Sequence, residues 1–226
     1  MQLFLDGSDI DQIRKYCGLG LIDGVTTNPS IILKSGKNMI EVISELARIV
    51  SGSVSAEVSA LDSDTMVKEG IKLAEIAENV TVKLPITWDG LKACKTLSNK
   101  GISVNMTLCF SSSQALLAAK AGAEYVSPFI GRLDDLNLEG IDLISDIKLI
   151  YSNYKFSTKI LAASIRTTNH VKQCARLGAD VATIPLDVFE KLIKHPLTDS
   201  GLNQFTADWE KTGPVSYTHL TLPTKA

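Results

Sequence analysis

Short apolar runs alternate with amphipathic segments along most of the chain. The apolar runs are typical of buried strands, and the segments between them repeat apolar residues at the spacing of one helix face. The predicted strands are, in order, QLFLD, GVTT, SVSAEVS, NVTVKLP, GISVNMTL, AEYVSPF, TKILAAS and DVATIPL. The predicted helices cover residues 8–17, 38–50, a segment opened by Asp62 as N-cap, 88–99, 111–120, 142–154, 169–177 and 187–194. Eight strands are therefore each followed by a helix.

Two of these units repeat visibly. AKAGAEYVSPFIG and ARLGADVATIPLD each combine a helix end, a glycine suited to the left-handed C′ position, and a strand. Eight such units with mostly apolar strands favour a closed parallel barrel, the TIM (β/α)8 fold, over an open doubly wound sheet. The phosphate-loop pattern of the open sheet, G-x-G-x-x-G, is absent from the sequence. We therefore predict a single α/β domain built as this barrel.

The chain continues beyond the eighth unit. DSGLNQFTADWEKT predicts one extra C-terminal helix, which could pack across a barrel end or on a neighbouring subunit. GPVSYTHLTLPTKA, residues 213–226, is rich in threonine, has two prolines and continues neither pattern. We expect it to be a disordered or foreign extension, with a genuine contact segment as the alternative. The predicted domain therefore covers residues 1–212.

Composition and charge exclude several classes of function. The net charge is -2, and the lysines and arginines are scattered, so the basic stripe that binds nucleic acid is not expected. The four cysteines lie far apart and the three histidines lack an H-x-x-x-H spacing, which predicts reduced thiols and no structural zinc. The N-terminus does not resemble a signal peptide, and no apolar run reaches about 18 residues. We therefore expect a cytoplasmic protein without a membrane span.

Polar side chains stand at the carboxyl ends of the predicted strands, where barrels of this fold carry their reaction sites. In chain order they are Asp6, Thr26, Thr27, Asn28, Glu57, Lys83, Asn105, Thr107, Ser127, Arg132, Ser164 and Arg166. Ordinary structural explanations exist for single members. Asp6 or Asn28 could cap the next helix, Thr107 could fill a strand position, and either arginine could form a surface ion pair. Together, however, they would bring many ionisable groups to one rim, which is too costly to arise without a function.

Lys83 interrupts the apolar strand NVTVKLP. Because side chains alternate along a strand, Val82 and Leu84 face one side and Lys83 the other, which in a barrel is the interior. A lysine that only snorkels to the strand end is the structural alternative. Desolvation and a neighbouring cation would favour the neutral, nucleophilic amine that forms Schiff bases. The pattern therefore predicts imine chemistry at Lys83.

From residue 1 to about residue 212 the sequence resembles the transaldolases, specifically the small-subunit group that also contains the fructose-6-phosphate aldolases. The resemblance is carried by DGVTTNPSII, VKLPIT, NMTLCFSSSQA, GAEYVSPFIGR and AASIR, in the order of the family. It implies that Lys83 forms the Schiff base and that Asp6 takes the proton from the C4 hydroxyl of a ketose. Glu57 and Thr107 match the pair that moves protons through an ordered water.

The resemblance also implies how substrates are held. The residues that match those holding substrate hydroxyls and orienting the lysine are Asn28, Asn105 and Ser127. The residues that match a phosphate site are Arg132, Ser164 and Arg166. Forked guanidinium donors suit phosphate oxygens. The implied substrates are sugar phosphates, with neither a metal nor an organic cofactor. Short members of the family assemble as rings of five subunits that often double to ten.

Three positions separate the two activities of the group. The aldolases resemble QVMA and APY where this chain has EVSA and SPF, so Glu57, Ser127 and Phe129 fall on the transaldolase side. Phe129 lacks the phenolic hydroxyl that could protonate an enamine intermediate, so the enamine should wait for an acceptor aldehyde. Transaldolase is therefore the favoured activity. A fructose-6-phosphate aldolase that releases free dihydroxyacetone, and a non-catalytic barrel that binds sugar phosphates, are the alternatives.

Overall fold

A computed structural model describes residues 1–212, in which eight parallel strands close into a barrel. The strands are β1 (Gln2–Asp6), β2 (Gly24–Thr26), β3 (Val54–Glu57), β4 (Val80–Pro85), β5 (Val104–Cys109), β6 (Tyr125–Pro128), β7 (Lys159–Ala162) and β8 (Val181–Pro185). Each strand pairs with its neighbours in sequence, and β8 pairs with β1 to close the sheet. The TIM barrel prediction is confirmed.

The helices mostly follow the predicted order. They are α1 (Ile10–Cys17), α2 (Pro29–Ser35), α3 (Met39–Ile49), α4 (Ser63–Ala74), α5 (Trp88–Ser98), α6 (Ser112–Ala121), α7 (Ile130–Asp134), α8 (Gly140–Tyr154), α9 (Thr168–Leu177), α10 (Leu186–Phe189) and α11 (Pro196–Thr212). Asp62 caps α4 as predicted, since its side chain accepts from the backbone N–H of Thr65.

Two short helices, α2 and α7, were not predicted, and one predicted helix is too long. Asn28 and the following proline start α2, whereas α7 has no side-chain cap and its first N–H groups donate to the carbonyls of the two residues that follow β7. The helix predicted over 187–194 is wrong beyond α10. Val188 and Phe189 are buried but the following residues are exposed, so packing stabilises only the first turn.

The chain divides into two compact units. Residues 1–189 hold the barrel with α1 to α10, and the second unit starts at Glu190. In the second unit α11 confirms the predicted extra C-terminal helix. The predicted extension over residues 213–226 lies outside the described residues. Within residues 1–212, no helix combines the length and apolarity needed to cross a membrane.

The alternation predicted for β4 is present in the structure. Val82 points out of the barrel and packs against Gly70 of α4. A Cβ added at Gly70 would lie 3.1 Å from Val82 Cγ1. Thr81 points into the barrel and shares hydrogen bonds with the hydroxyls of Ser53 (2.7 Å) and Ser103 (3.1 Å), which directly precede the adjacent strands β3 and β5. Lys83, two residues further, therefore projects into the same interior, closer to the carboxyl ends of the strands.

Candidate active site

A cavity of about 660 Å³ opens at the carboxyl ends of the strands. Ten of the predicted site residues line it: Asp6, Asn28, Glu57, Lys83, Thr107, Ser127, Phe129, Arg132, Ser164 and Arg166. Asn105 is the exception, because it is fully buried and reaches the cavity only through Ser127. The structure therefore brings residues from seven strands, or from the segments that follow them, to one place.

Lys83 and Glu57 form a buried ion pair in the wall of the cavity. Residues Glu57 and Lys83 are register partners in β3 and β4, and Lys83 Nζ lies 3.0 Å from Glu57 Oε2. The two side chains are only 7% and 16% exposed. Nζ also donates to the Thr27 carbonyl oxygen at 3.0 Å. The charged group in contact with the amine is therefore an anion, whereas the sequence analysis expected a cation. Glu57 is placed to receive the proton that the amine must lose before it can attack a carbonyl.

Asp6 lies on the neighbouring strand β1. The Thr26 hydroxyl donates to Asp6 Oδ1 at 2.7 Å and, since it has one hydrogen, accepts from the Thr183 hydroxyl at 2.6 Å. Burial raises the pKa of Asp6, against the opposing effects of the Thr26 hydrogen bond and the Lys83 charge, while the Glu57 charge raises the pKa further. A carboxyl group with a raised pKa can serve as a general acid or base. Asp6 does not cap α1, because Asp9 does.

Thr107 carries a buried hydroxyl that has no hydrogen-bond partner within residues 1–212. It faces the cavity at a point where β5 is irregular: the pairing with β6 shifts between Met106 and Cys109, and Leu108 has φ 60°. Bulges next to active sites re-aim side chains, and a buried unpaired hydroxyl is costly without a bound partner. The Thr107 hydroxyl is therefore available to a substrate or an ordered water.

A chain of side-chain hydrogen bonds supports Ser127 across three strands. The Ser127 hydroxyl donates to Asn105 Oδ1 at 2.7 Å, and Asn105 Nδ2 donates to the Ser55 hydroxyl at 3.3 Å. The role of Asn105 in this structure is thus to orient Ser127. Asn28 also has a structural role, because its Oδ1 accepts from the Ile31 N–H at 3.0 Å and caps α2. This cap is the alternative that the sequence analysis left open for Asn28.

The predicted phosphate-site residues lie at one side of the cavity. Arg132 is not at the end of a strand as predicted but in the short helix α7, where its guanidinium carbon lies 5.0 Å from the centre of the Phe129 ring. Phe129 in turn meets the Phe110 ring edge to face, with 5.6 Å between centroids. Arg166 pairs with Asp135 at 2.8 Å, so the surface ion pair considered for this arginine exists. These contacts orient both guanidinium groups.

Sequence reasoning missed three supporting residues. Ser55 and Thr183 lie within predicted strands but are not among the predicted site residues, and Thr26 is predicted only as a polar residue at a strand end. Their hydrogen bonds cross between strands, so they depend on the register of the closed barrel. The available signal was a hydroxyl at an inward position of an otherwise apolar strand. Within residues 1–212, no group of three or more His, Cys, Asp and Glu side chains is arranged to hold a metal ion.

Comparisons with known proteins agree with this arrangement. The family model described as Transaldolase/Fructose-6-phosphate aldolase matches residues 3–215. A "Probable transaldolase" of Roseobacter denitrificans is 65% identical over 213 residues, which cover 94% of this chain and 98% of the relative. Proteins of the same name from Cereibacter sphaeroides (62% identical, 94% and 97% covered) and Parvibaculum lavamentivorans (61%, 94% and 98%) are also similar.

A solved structure shares the fold at much lower identity. Thiamine phosphate pyrophosphorylase from Pyrococcus furiosus superposes with a TM-score of 0.56 at 13% identity, covering 81% of this chain and 85% of that chain. This likeness concerns the barrel alone. The family model, by contrast, spans nearly the whole chain, and relatives of 60% identity and more share almost its full length. The chain belongs to the transaldolase/fructose-6-phosphate aldolase family.

Proposed function

We propose that the protein is a transaldolase. It would move a dihydroxyacetone unit from sedoheptulose 7-phosphate or fructose 6-phosphate to glyceraldehyde 3-phosphate or erythrose 4-phosphate. The observation that carries the proposal is the buried Lys83 amine, held 3.0 Å from Glu57 in a cavity that also contains Asp6. The similar proteins named probable transaldolase support it.

The first step is formation of a Schiff base. Lys83 passes a proton to Glu57, and the free amine attacks the C2 carbonyl carbon of the ketose. The resulting carbinolamine loses its hydroxyl as water when Glu57 returns a proton, which leaves an iminium on Nζ. The buried Thr107 hydroxyl faces the same cavity and can hold the water that relays these protons.

The second step breaks the C3–C4 bond. Asp6 as a carboxylate takes the proton of the C4 hydroxyl, the C4–O bond becomes a carbonyl, and the bonding electrons move into the iminium to give an enamine. An aldose phosphate leaves. A second aldose phosphate then enters, the enamine carbon attacks its C1, and Asp6 returns the proton to the new hydroxyl. Hydrolysis of the iminium releases the product ketose and restores the Lys83 amine.

The fate of the enamine separates transfer from release. Phe129 lines the cavity, but a phenyl ring has no hydroxyl to protonate the enamine carbon. Without that proton the three-carbon unit stays on Lys83 until an acceptor arrives. Arg132, Ser164 and Arg166 are proposed to bind the phosphate of donor and acceptor alike, and this remote binding energy positions the reacting carbon.

Self-association into a pentamer or decamer is part of the proposal and follows from the family resemblance. It is supported by the apolar side chains of α11, since Leu202, Phe205 and Trp209 lie on one face of the helix and are exposed. The cytoplasmic location remains a prediction from the sequence.

One assay tests the proposed activity. The purified protein is given fructose 6-phosphate with and without erythrose 4-phosphate, and sedoheptulose 7-phosphate and free dihydroxyacetone are both measured. We expect sedoheptulose 7-phosphate with the acceptor and little dihydroxyacetone without it, and no product from Lys83→Met. Release of free dihydroxyacetone without acceptor, at a rate comparable with that of transfer, would instead assign the aldolase activity. Absence of both products would leave the non-catalytic barrel.

A further inference from the structure

Two chain segments carry the proposed phosphate ligands. Arg132 lies in α7, whereas Ser164 and Arg166 lie in the connection between β7 and α9. The segments meet closely: the Gly131 N–H donates to the Ser164 carbonyl at 3.1 Å, and a Cβ added at Gly131 would lie 2.7 Å from Arg166 Cγ. The two guanidinium groups can therefore act on one phosphate only while these segments keep this relative position.

His170, in the first turn of α9, contacts both segments. Its Nδ1 accepts the backbone N–H of Arg166 at 3.3 Å, and its Nε2 lies 3.1 Å from Asp134 Oδ2 at the end of α7. The backbone of His170 is also fixed, because its backbone N–H donates to the Thr167 hydroxyl at 3.1 Å. The other carboxylate oxygen of Asp134 accepts from the Gly140 N–H at 2.9 Å. Both ends of this bridge are thus fixed to the backbone.

The two contacts of His170 require one protonation state. The nitrogen that faces the Arg166 N–H must be an unprotonated acceptor, and the nitrogen that faces the Asp134 carboxylate must be a donor. Only the neutral Nε2–H form provides both, because an imidazolium would present a second N–H to that of Arg166. An asparagine amide can reach the position of Nδ1, and a glutamine amide the position of Nε2. Neither side chain reaches both positions, so each can reproduce one contact at most.

The segment that His170 holds is strained. Ser164 has φ 58°, in the left-handed region that residues other than glycine keep only when their surroundings enforce it. A second side-chain contact between the segments is the Arg166–Asp135 ion pair, whose side chains are 51% and 57% exposed. Exposed pairs contribute little. The contact between His170 and Asp134 is better shielded from solvent, since these side chains are 16% and 38% exposed.

We propose that His170 is a positioning residue of the phosphate site. It fixes the Arg166 backbone against α7, so that the Arg132 and Arg166 guanidinium groups converge on the same phosphate. The inference rests on the proposed function, because it assigns these arginines to phosphate binding. His170 is not among the residues that line the cavity, so its proposed effect is exerted through Arg166.

The test compares His170→Ala with His170→Asn and with the control His195→Ala, which removes an exposed histidine of the second unit. We expect His170→Ala to raise KM for erythrose 4-phosphate by about tenfold, as expected when a hydrogen bond that orients a charged ligand group is lost. The value of kcat should change little. Turnover with unphosphorylated erythrose should stay at the wild-type rate. His170→Asn, which keeps an acceptor near Nδ1, should recover part of the affinity, and His195→Ala should match the wild type.

Binding of inorganic phosphate, measured by calorimetry, tests the same inference without turnover. His170→Ala should bind phosphate about tenfold more weakly than the wild type, by the same loss of orientation. Equal phosphate binding, or equal kinetic losses with phosphorylated and unphosphorylated acceptors, would overturn the positioning role and leave the transaldolase proposal intact. A wild-type protein that binds phosphate but transfers nothing would instead refute the transaldolase proposal. Histidine side-chain 15N NMR should show the ring proton of His170 on Nε2, and a proton on Nδ1 would contradict the geometry.

Discussion

The buried Lys83–Glu57 pair predicts strong coupling between the two side chains in the stability of the protein. The atoms are 3.0 Å apart and the side chains are 7% and 16% exposed. At an effective dielectric constant of about 20, charges at this distance attract by about 5 to 6 kcal/mol. Removal of one partner leaves the other charge buried, which typically costs about 3 to 5 kcal/mol. Removal of both avoids that penalty.

The perturbation is a double-mutant cycle with Glu57→Gln, Lys83→Met and the combined variant. We expect each single change to lower the free energy of unfolding by about 3 to 5 kcal/mol. Glu57→Gln should lie at the lower end, since the amide keeps one acceptor oxygen for Nζ. The double variant should return to within about 1 to 2 kcal/mol of the wild type, because the remaining loss is the hydrogen bond from Nζ to the Thr27 carbonyl.

The assay is equilibrium unfolding in urea at neutral pH, followed by circular dichroism at one protein concentration. The Lys159–Glu124 pair offers a matched control, because it has a similar distance of 2.8 Å but side chains that are 42% and 46% exposed. Glu124→Gln should cost less than about 1 kcal/mol. If the losses at Lys83 and Glu57 add to within about 0.5 kcal/mol in the double variant, the two residues are not coupled and the reasoning is refuted.

Three further changes test the proposed roles around this pair. Phe129→Tyr should raise dihydroxyacetone release relative to transfer while keeping an aromatic ring beside Arg132, and an unchanged ratio would exclude the missing hydroxyl as the cause. Arg166→Ala should weaken the binding of phosphorylated substrates by about 1.5 to 3 kcal/mol more than that of unphosphorylated ones, as is typical of a hydrogen bond to a charged group, whereas equal losses would place the phosphate elsewhere. Asp6→Asn should lower turnover by about 10²- to 10⁴-fold at the cleavage step. Because burial raises the pKa of Asp6, its contribution to stability is present below the ordinary carboxyl pKa and is lost as pH rises through the higher value in the fold. Asp6→Asn should therefore gain stability relative to the wild type between about pH 4 and pH 7, and urea unfolding at both pH values that shows no such gain would contradict the burial effect.

Most of the barrel could be predicted from the sequence, because buried parallel strands and amphipathic helices have different periods. The alternation around Lys83 gave the inward direction of that side chain, and its ion pair with Glu57 follows from the pairing of adjacent strands. Helix α7 could not be predicted in the same way. Its first N–H groups donate to the carbonyls of Ala163 and Ser164, which directly follow β7 and lie about 30 residues further along the chain, and no side-chain cap marks its start.

The candidate site shows the same division between local and distant information. Asp6 and Thr107 were found because functional groups of this fold stand at strand ends. Thr183 and His170 were missed because their roles depend on which distant groups the closed barrel brings to them. Thr183 meets Thr26 only because β1 lies between β2 and β8. His170 contacts Asp134 of a helix that the sequence did not predict.

The proposed mechanism requires Lys83 to form a Schiff base with the donor ketose. Borohydride reduction of the protein in the presence of fructose 6-phosphate, followed by peptide mass spectrometry, tests this most directly. We expect a stable three-carbon adduct on Lys83, together with loss of transfer activity in proportion to labelling. A preparation that transfers dihydroxyacetone while Lys83 stays unmodified, or that carries the adduct on another lysine, would contradict it.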